Sequence, residues 1–130
     1  MTVFHYTVTT QKSLDDAIRA VSAALKERSF GVLWELDMAS KLHEKGVDYE
    51  GAFRVLEVCN PKVAKQVLEH NPLIGYFLPC KVVVYEDKDG TNKIGLANPT
   101  ALIGLAGDNE VLGIAKEIED TLIAAVDAAK

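Results

Sequence analysis

A chain of 130 residues lies inside the usual size range of one domain, so we expect a single domain over residues 1–130. Its 48% hydrophobic and 25% charged residues are typical of a globular protein and exclude an intrinsically disordered one. The formal net charge of −5, with acidic residues scattered among lysines, argues against a nucleic-acid-binding protein.

The first ten residues, MTVFHYTVTT, alternate apolar and polar side chains, which predicts a half-buried strand over residues 3–9. They lack the basic start, apolar run and cleavage site of a signal peptide, and no apolar run in the chain is long enough to cross a membrane. We therefore expect a cytoplasmic protein, in which a cysteine pair is more often free, metal-bound or redox-active than bridged.

Apolar residues at helical spacing predict an amphipathic helix over residues 14–28, with Ser13 as its N-cap. Strict alternation then predicts a second strand over residues 30–37. Four residues at alternate positions of this strand are expected to face the core: Phe30, Val32, Trp34 and Leu36. A short helix is predicted over residues 39–45, with Gly46 just past its end.

Residues 52–58 predict a third strand, apolar on both faces as in the interior of a sheet. The Asn-Pro dipeptide at 60–61 starts a helix, because Asn caps the free amides and Pro at the first position has no amide to lose. The Asn-Pro dipeptide at 71–72 ends that helix. The next segment, PLIGYFLP over 72–79, is bracketed by prolines and predicts an extended connector.

Residues 80–86 and 93–97 predict a β-hairpin. Residues 101–107, ALIGLAG, are apolar without a clear period. The last helix is capped by Asp108 or Asn109 and has an apolar stripe that runs to the end of the chain. This order predicts an α+β fold with a single, mainly antiparallel sheet of about five strands and helices packed on one face.

The two cysteines fall at the end of the third strand and the start of the fourth. If those strands are antiparallel neighbours the cysteines meet, whereas a parallel crossover separates them by about 20 Å. Cys59 lies near a helix N-terminus, which favours the thiolate, so it is a candidate nucleophile with Cys80 as the resolving thiol. The other interpretation is that both are small buried hydrophobic residues.

Other catalytic patterns are missing from the sequence. His5, His43 and His70 lie alone in separate elements and the cysteine spacing matches no zinc signature, so we expect no metal and no cofactor. There is no Gly-x-Ser-x-Gly elbow and no phosphate-binding glycine loop. The acidic pair Glu119-Asp120 is expected at a solvent-facing position of the last helix.

The segment CNPKVAKQVLEHNPLIGYFLPCKVVVYED, together with a third Asn-Pro after the next strand, resembles domain of unknown function family 302. The resemblance covers nearly the whole chain. Its most specific parts are Cys59-Asn60-Pro61, Asn71-Pro72 with Ile74-Gly75, Leu78-Pro79-Cys80 and Asn98-Pro99.

The resemblance implies a small α+β fold, similar to the TATA-binding-protein-like architecture and commonly assembled as a dimer, and it implies no activity. Some relatives carry a histidine where this chain has Met38, so one metal ligand is missing here. The acidic charge balance argues against interpreting the TATA-binding-like shape as DNA binding.

We therefore predict a cytoplasmic, homodimeric binding or accessory module. A cleft for a small molecule is expected around Cys59, Asn60, Pro79 and Cys80, with Asn98 nearby. One alternative is a thiol-based redox enzyme or sensor that uses the two cysteines. A third possibility is a purely structural protein in which ALIGLAG forms the dimer interface, since an apolar segment of this kind suits self-association or the wall of an apolar cleft.

Overall fold

The computed structural model describes residues 4–130, which form one five-stranded antiparallel sheet and a layer of helices. The strands are β1 (His5–Thr10), β2 (Gly31–Asp37), β3 (Phe53–Cys59), β4 (Cys80–Glu86) and β5 (Asn92–Ala97). The helices are α1 (Leu14–Glu27), α2 (Met38–Glu44), α3 (Pro61–His70), α4 (Pro99–Ile103) and α5 (Asn109–Ala129). The predicted α+β fold is confirmed. Val3, where the first strand was predicted to begin, lies outside the described residues.

The strands are ordered β1-β5-β4-β3-β2, and every neighbouring pair is antiparallel. β4 is therefore the central strand, while β1 and β2 form the two edges. Within residues 4–130, no helix is both long enough and apolar enough to cross a membrane.

The helices α1 and α5 cover one face of the sheet, and the main hydrophobic core lies between these helices and the sheet. Side chains alternate along each strand, so every second residue of β3, β4 and β5 contributes to this core. The strand residues concerned are Leu56, Val58, Val82, Val84, Ile94 and Leu96, all buried. A second, smaller core packs α3 and α4 against the first turns of α5 through Val67, Ile103 and Val111.

Helix starts follow the predicted capping residues. The Ser13 hydroxyl accepts a hydrogen bond from the amide of Asp16 at 3.2 Å, and Asn60 Oδ1 accepts from the amides that open α3. Asp108 caps α5 in the same way. Gly46 follows α2 with a φ of +77°, a backbone conformation that costs glycine least.

The prediction that Trp34 faces the core is wrong. Val32 pairs with Val58 and Trp34 pairs with Glu57, so the register slips by one residue between them and Leu33 forms a bulge. The bulge turns Trp34 to the side of the sheet opposite α1 and α5, where its side chain is 57% exposed. Val32 and Leu33 are also exposed on this edge strand.

Two segments without a clear period are helical. Residues Pro72–Phe77 form a 3₁₀ helix and not the predicted extended connector, because Asn71 Oδ1 accepts from the amide of Leu73 and starts a tight turn. In ALIGLAG, α4 ends at Ile103 and is followed by a 3₁₀ turn over Gly104–Ala106. Both segments are too short to display a helical repeat in the sequence.

Glu119 is not solvated as predicted. It is only 7% exposed, and its Oε1 accepts hydrogen bonds from the backbone amide and the hydroxyl of Thr100 at 3.1 and 2.6 Å. A carboxylate of α5 therefore satisfies the first turn of α4.

Candidate ligand-binding site

The antiparallel register brings the two cysteines to neighbouring positions. Val58 pairs with Cys80, so Cys59 lies one residue beyond that pair. Cys80 packs against the main core on the helix side of the sheet, like Val58, and both cysteines line one small cavity there. Both thiols are free and half-buried. The cysteines are therefore close neighbours, although Cys80 is the cross-strand partner of Val58 and not of Cys59.

Burial sets the protonation of both thiols. The pKa of Cys80 is raised to about 11, mainly by burial and also by the nearby Cys59 and Glu57, against a smaller opposing effect of Lys81. Burial also raises the pKa of Cys59. Any influence of the α3 N-terminus on Cys59 is outweighed, so both cysteines are thiols near neutral pH.

Four of the predicted site residues line one small apolar cavity between the sheet end and α3. This inner cavity has a volume of about 20 Å³. Its lining combines Cys59, Asn60, Pro79 and Cys80 with Phe30, Val58, Val63, Ala64, Val67, Leu78 and Ile118. The space is enough for about one water-sized group.

A second apolar hollow adjoins the first and shares Pro79 and Cys80 with it. This outer cleft has a volume of about 60 Å³. Its lining residues come from the 3₁₀ helix, β4, β5 and α4: Phe77, Pro79, Cys80, Lys81, Ala97, Pro99, Leu102 and Ile103. The peptide bond between Leu78 and Pro79 is cis.

Asn98 does not line either hollow itself, although its neighbours Ala97 and Pro99 line the outer cleft. It stands at the N-cap position of α4 but makes no side-chain capping bond, because Glu119 already binds the amide of Thr100. Its Oδ1 is buried and has no hydrogen-bond partner among residues 4–130. An amide oxygen near the outer cleft is therefore a spare acceptor.

A charged pair lies on the sheet next to the cleft. Lys81 Nζ is 3.3 Å from Glu57 Oε1, and the second carboxylate oxygen, Oε2, is buried without a partner among the described residues. Residues 4–130 contain no cluster of three or more His, Cys, Asp or Glu side chains arranged to hold a metal ion. The site as described offers apolar walls and acceptor oxygens.

A family model described as domain of unknown function DUF302 matches residues 6–129, which is nearly the whole chain. The chain belongs to the DUF302 family. The match agrees with the resemblance carried by the Asn-Pro and Leu-Pro-Cys segments.

The DUF302 chain is similar to a solved structure described as an uncharacterized conserved protein DUF302 from Bacillus stearothermophilus. The two share 44% sequence identity with a TM-score of 0.95, and the match covers 99% of this chain and 100% of the other. No curated protein matches the chain. The comparisons therefore establish family and fold and carry no activity.

The cysteine-centred prediction missed three contributors to the site of this DUF302 chain. Lys81 and Leu102 line the outer cleft, and Glu57 pairs with Lys81. A signal for Glu57 was present, because it is a lone acidic residue within the apolar strand Phe53–Cys59. For Leu102 the signal was the apolar segment ALIGLAG, which indicated an interface or a cleft wall but not which of its residues lines the cleft, since a five-residue helix is too short to show which face it buries.

Proposed function

We propose that the chain is a cytoplasmic, homodimeric binding module that holds a small apolar group in the outer cleft, without a catalytic step of its own. The observation that carries this proposal is the convergence of Pro79, Cys80 and the Asn98 region on one apolar hollow. These residues come from segments far apart in the sequence. Two free thiols suit a reducing compartment.

The volume of the cleft limits what it accepts. Pockets for drug-sized ligands have volumes of roughly 300–1,000 Å³, and a cavity of about 150 Å³ holds benzene. The outer cleft, at about 60 Å³, suits a branched alkyl group or one apolar side chain of a partner. The ligand we propose is therefore a short apolar group at the end of a larger molecule.

The unpaired oxygen of Asn98 adds a polar preference. A buried acceptor without a partner costs about 1–3 kcal/mol, so a ligand that donates an N–H or O–H bond to it recovers free energy that an apolar ligand does not. Apolar walls beside one acceptor thus favour small amides and alcohols over ethers, nitriles or ions.

An amide NMR titration with isobutyramide tests the proposal, with isobutyronitrile as a probe of similar shape that cannot donate. We expect saturable shifts at Cys80, Lys81 and Ala97 with a dissociation constant on the order of 1 mM for isobutyramide, the range open to a molecule of so few atoms. The nitrile should bind more weakly.

Matched variants on one segment locate the effect. Leu102→Glu puts a carboxylate at the mouth of the cleft and should abolish the shifts. Leu105→Glu changes a side chain that is 78% exposed and does not line the cleft, so binding should persist. Shifts spread evenly over the chain, or equal loss in both variants, would contradict binding in the cleft.

The alternative, a thiol-based redox enzyme or sensor using Cys59 and Cys80, has less support. A reactive thiol needs a lowered pKa, whereas burial raises the pKa of both cysteines. Both thiols are also free, although the two cysteines line the same inner cavity.

A further inference from the structure

The inner cavity brings both cysteines of the chain to one small space. Cys59 and Cys80 line it together, and both are free thiols. They are close enough for the charge of Cys59 to raise the pKa of Cys80. Binding of an apolar group in the outer cleft makes no use of this pair. The two sulfur atoms therefore form a second candidate site, next to the first.

Sulfur provides the metal-binding atoms of this cavity. Apart from the cysteines, its lining is apolar except for Asn60, whose Oδ1 already accepts hydrogen bonds from the amides of Lys62 and Val63 at 3.2 and 3.4 Å. Among the residues that the structure describes, no carboxylate and no imidazole belongs to the lining. Two thiolates without oxygen or nitrogen ligands are a soft ligand set, which favours Cu(I) over hard cations such as Mg²⁺ or Ca²⁺.

The number of ligands distinguishes Cu(I) from the other metals that bind thiolates. Structural zinc takes four protein ligands, catalytic zinc takes three, and Fe–S clusters take four cysteines. The described part of the chain, residues 4–130, holds no group of three or more His, Cys, Asp or Glu side chains arranged for a metal ion. A pair of thiolates is too few for each of these sites, whereas monovalent copper forms stable complexes with two thiolates alone.

We propose that Cys59 and Cys80 form a two-coordinate Cu(I) site in the inner cavity. Cu(I) displaces one proton from each thiol, two Cu–S bonds form, both protons pass to solvent, and no atom changes its oxidation state. The cavity volume of about 20 Å³ fits a single ion, since about 10–15 Å³ is enough for a water molecule. The site does not depend on the ligand proposed for the outer cleft, although both hollows share Cys80.

The first turn of α3 offsets the charge of the site. Two thiolates and one Cu(I) carry a net charge of −1, which is costly beside apolar walls. The helix begins at Pro61, two residues after Cys59, so the partial positive charge of its N-terminus lies beside the complex. At Cys80, Lys81 favours the thiolate and Glu57 opposes it, so the helix is the main source of compensation.

The apolar walls of the cavity favour the monovalent state of the ion. Phe30, Val58 and Leu78 are among the side chains that surround the two cysteines. A hydrophobic shell limits the access of water to a metal and so influences its redox potential. Cu(II) prefers nitrogen and oxygen ligands in a square-planar arrangement, which this lining does not offer. The ligand set and its surroundings thus agree on Cu(I).

Anaerobic titration of the reduced protein with Cu(I), in competition with the chromogenic chelator bicinchoninate, measures stoichiometry and affinity. We expect the protein to retain one Cu(I) per chain. Cys59→Ser and Cys80→Ser should each weaken the affinity by more than about 100-fold, beyond the loss typical of an outer-shell residue. An excess of Zn²⁺ should not displace the copper, because zinc needs more ligands than the cavity provides.

Two control variants keep both thiols. Val63→Ala changes the wall of the same cavity, and Met38→Leu removes a sulfur atom that does not line it, so both should retain the Cu(I) affinity within about tenfold. Circular dichroism should show that all four variants are folded. Loss of all copper to bicinchoninate, full affinity in either serine variant, displacement by Zn²⁺, or one Cu(I) per two chains would each overturn the inference. The isobutyramide titration, performed without metal, tests the proposed function separately.

Discussion

Glu119 of α5 provides the cap that α4 does not obtain from its own N-cap residue. Its Oε1 accepts hydrogen bonds from the amide of Thr100 at 3.1 Å and from the hydroxyl of Thr100 at 2.6 Å. The Asn98 side chain therefore does not cap α4, whereas Asn60 and Asn71 cap the helices that follow them in the other two Asn-Pro segments. The consequence is a free acceptor oxygen beside the outer cleft.

Removal of this carboxylate should destabilise the fold. Glu119→Ala leaves the amide and hydroxyl of Thr100 without their acceptor in a buried place, so we expect the free energy of unfolding to fall by about 1–3 kcal/mol. Glu119→Gln keeps an acceptor oxygen and should cost less. Urea unfolding measures both, with the exposed Glu117→Ala as a control that should stay within about 0.5 kcal/mol of the wild type. Equal costs for the Ala variants at 117 and 119 would contradict the assigned role.

Both thiols should react slowly near neutral pH. Alkylation of the native protein by iodoacetamide should accelerate with pH up to about 11 in Cys59→Ser, where Cys80 is the remaining thiol. Cys80→Ser reports Cys59 alone, whose apparent pKa should lie above about 8.5, the value of an unperturbed cysteine. An apparent pKa below that value for either thiol would favour the redox enzyme or sensor over the binding module.

Titration of Asp108, the N-cap of α5, should make the free energy of unfolding depend on pH in the acid range. The amide of Val111 donates to Asp108 and lowers the pKa of its carboxyl group, with further donors at Asn71 and His70. A lowered folded-state pKa stabilises the protein above the unfolded value of about 3.9 and loses that effect as the pH falls through the folded value. Asp108→Asn retains a capping side chain but does not titrate.

The free energies of unfolding of the wild type and Asp108→Asn should therefore differ most above about pH 4 and converge below it. Asp48→Asn, which removes an exposed carboxylate from a loop, serves as the comparison. A constant difference between the wild type and Asp108→Asn from about pH 5 to about pH 2 would contradict a titrating cap.

Arg54 joins three carboxylates at one end of the sheet. Its guanidinium lies 3.0 Å from Glu35, 3.2 Å from Asp37 and 3.7 Å from Asp15, and its side chain is only 25% exposed. Arg54→Met keeps much of the aliphatic packing but leaves three like charges close together, so we expect a loss of about 1–2 kcal/mol.

The dependence on salt concentration tests whether repulsion among the carboxylates causes this loss of stability. The loss in Arg54→Met should shrink at about 1 M NaCl, because the repulsion it exposes is screened there. Lys41→Met removes an exposed pair with Glu44 at 3.2 Å and should change the free energy of unfolding by about 0.5 kcal/mol or less. If the free energy lost in Arg54→Met does not change with salt concentration, the cause is lost packing and not charge repulsion.

The sequence reduced the arrangement of the two strands that carry the cysteines to two possibilities, antiparallel neighbours or a parallel crossover. It also predicted the residues at which the helices begin. Asn60 and Ser13 act through their immediate neighbours in the chain, so local pattern is enough to identify them. The structure shows the antiparallel arrangement, with Val58 opposite Cys80, and this is the arrangement in which the cysteines were expected to be neighbours. The sequence could not predict which side of the sheet each cysteine side chain faces, because that depends on the exact register of the strands.

The exposed position of Trp34 could not be read from alternation. A bulge inserts one residue and inverts every later side chain, and nothing in the letters VLW marks where it occurs. Glu119 was missed for a similar reason, since its partner Thr100 lies in a separate helix. Features that depend on contacts between distant segments were the ones that sequence pattern did not predict.

The first described residues are hydrogen-bonded to the segment beside the outer cleft, which bears on how recombinant protein is prepared. The carbonyl of Phe4 accepts a hydrogen bond from the amide of Asn98 at 2.6 Å. Lys130 lies at the far end of β1, where its carbonyl accepts from Lys12 Nζ at 2.8 Å. An affinity tag joined ahead of Phe4 therefore emerges next to Asn98 and the outer cleft. A tag joined after Lys130 extends from the helix layer at the other end of β1 and leaves the outer cleft free for a ligand.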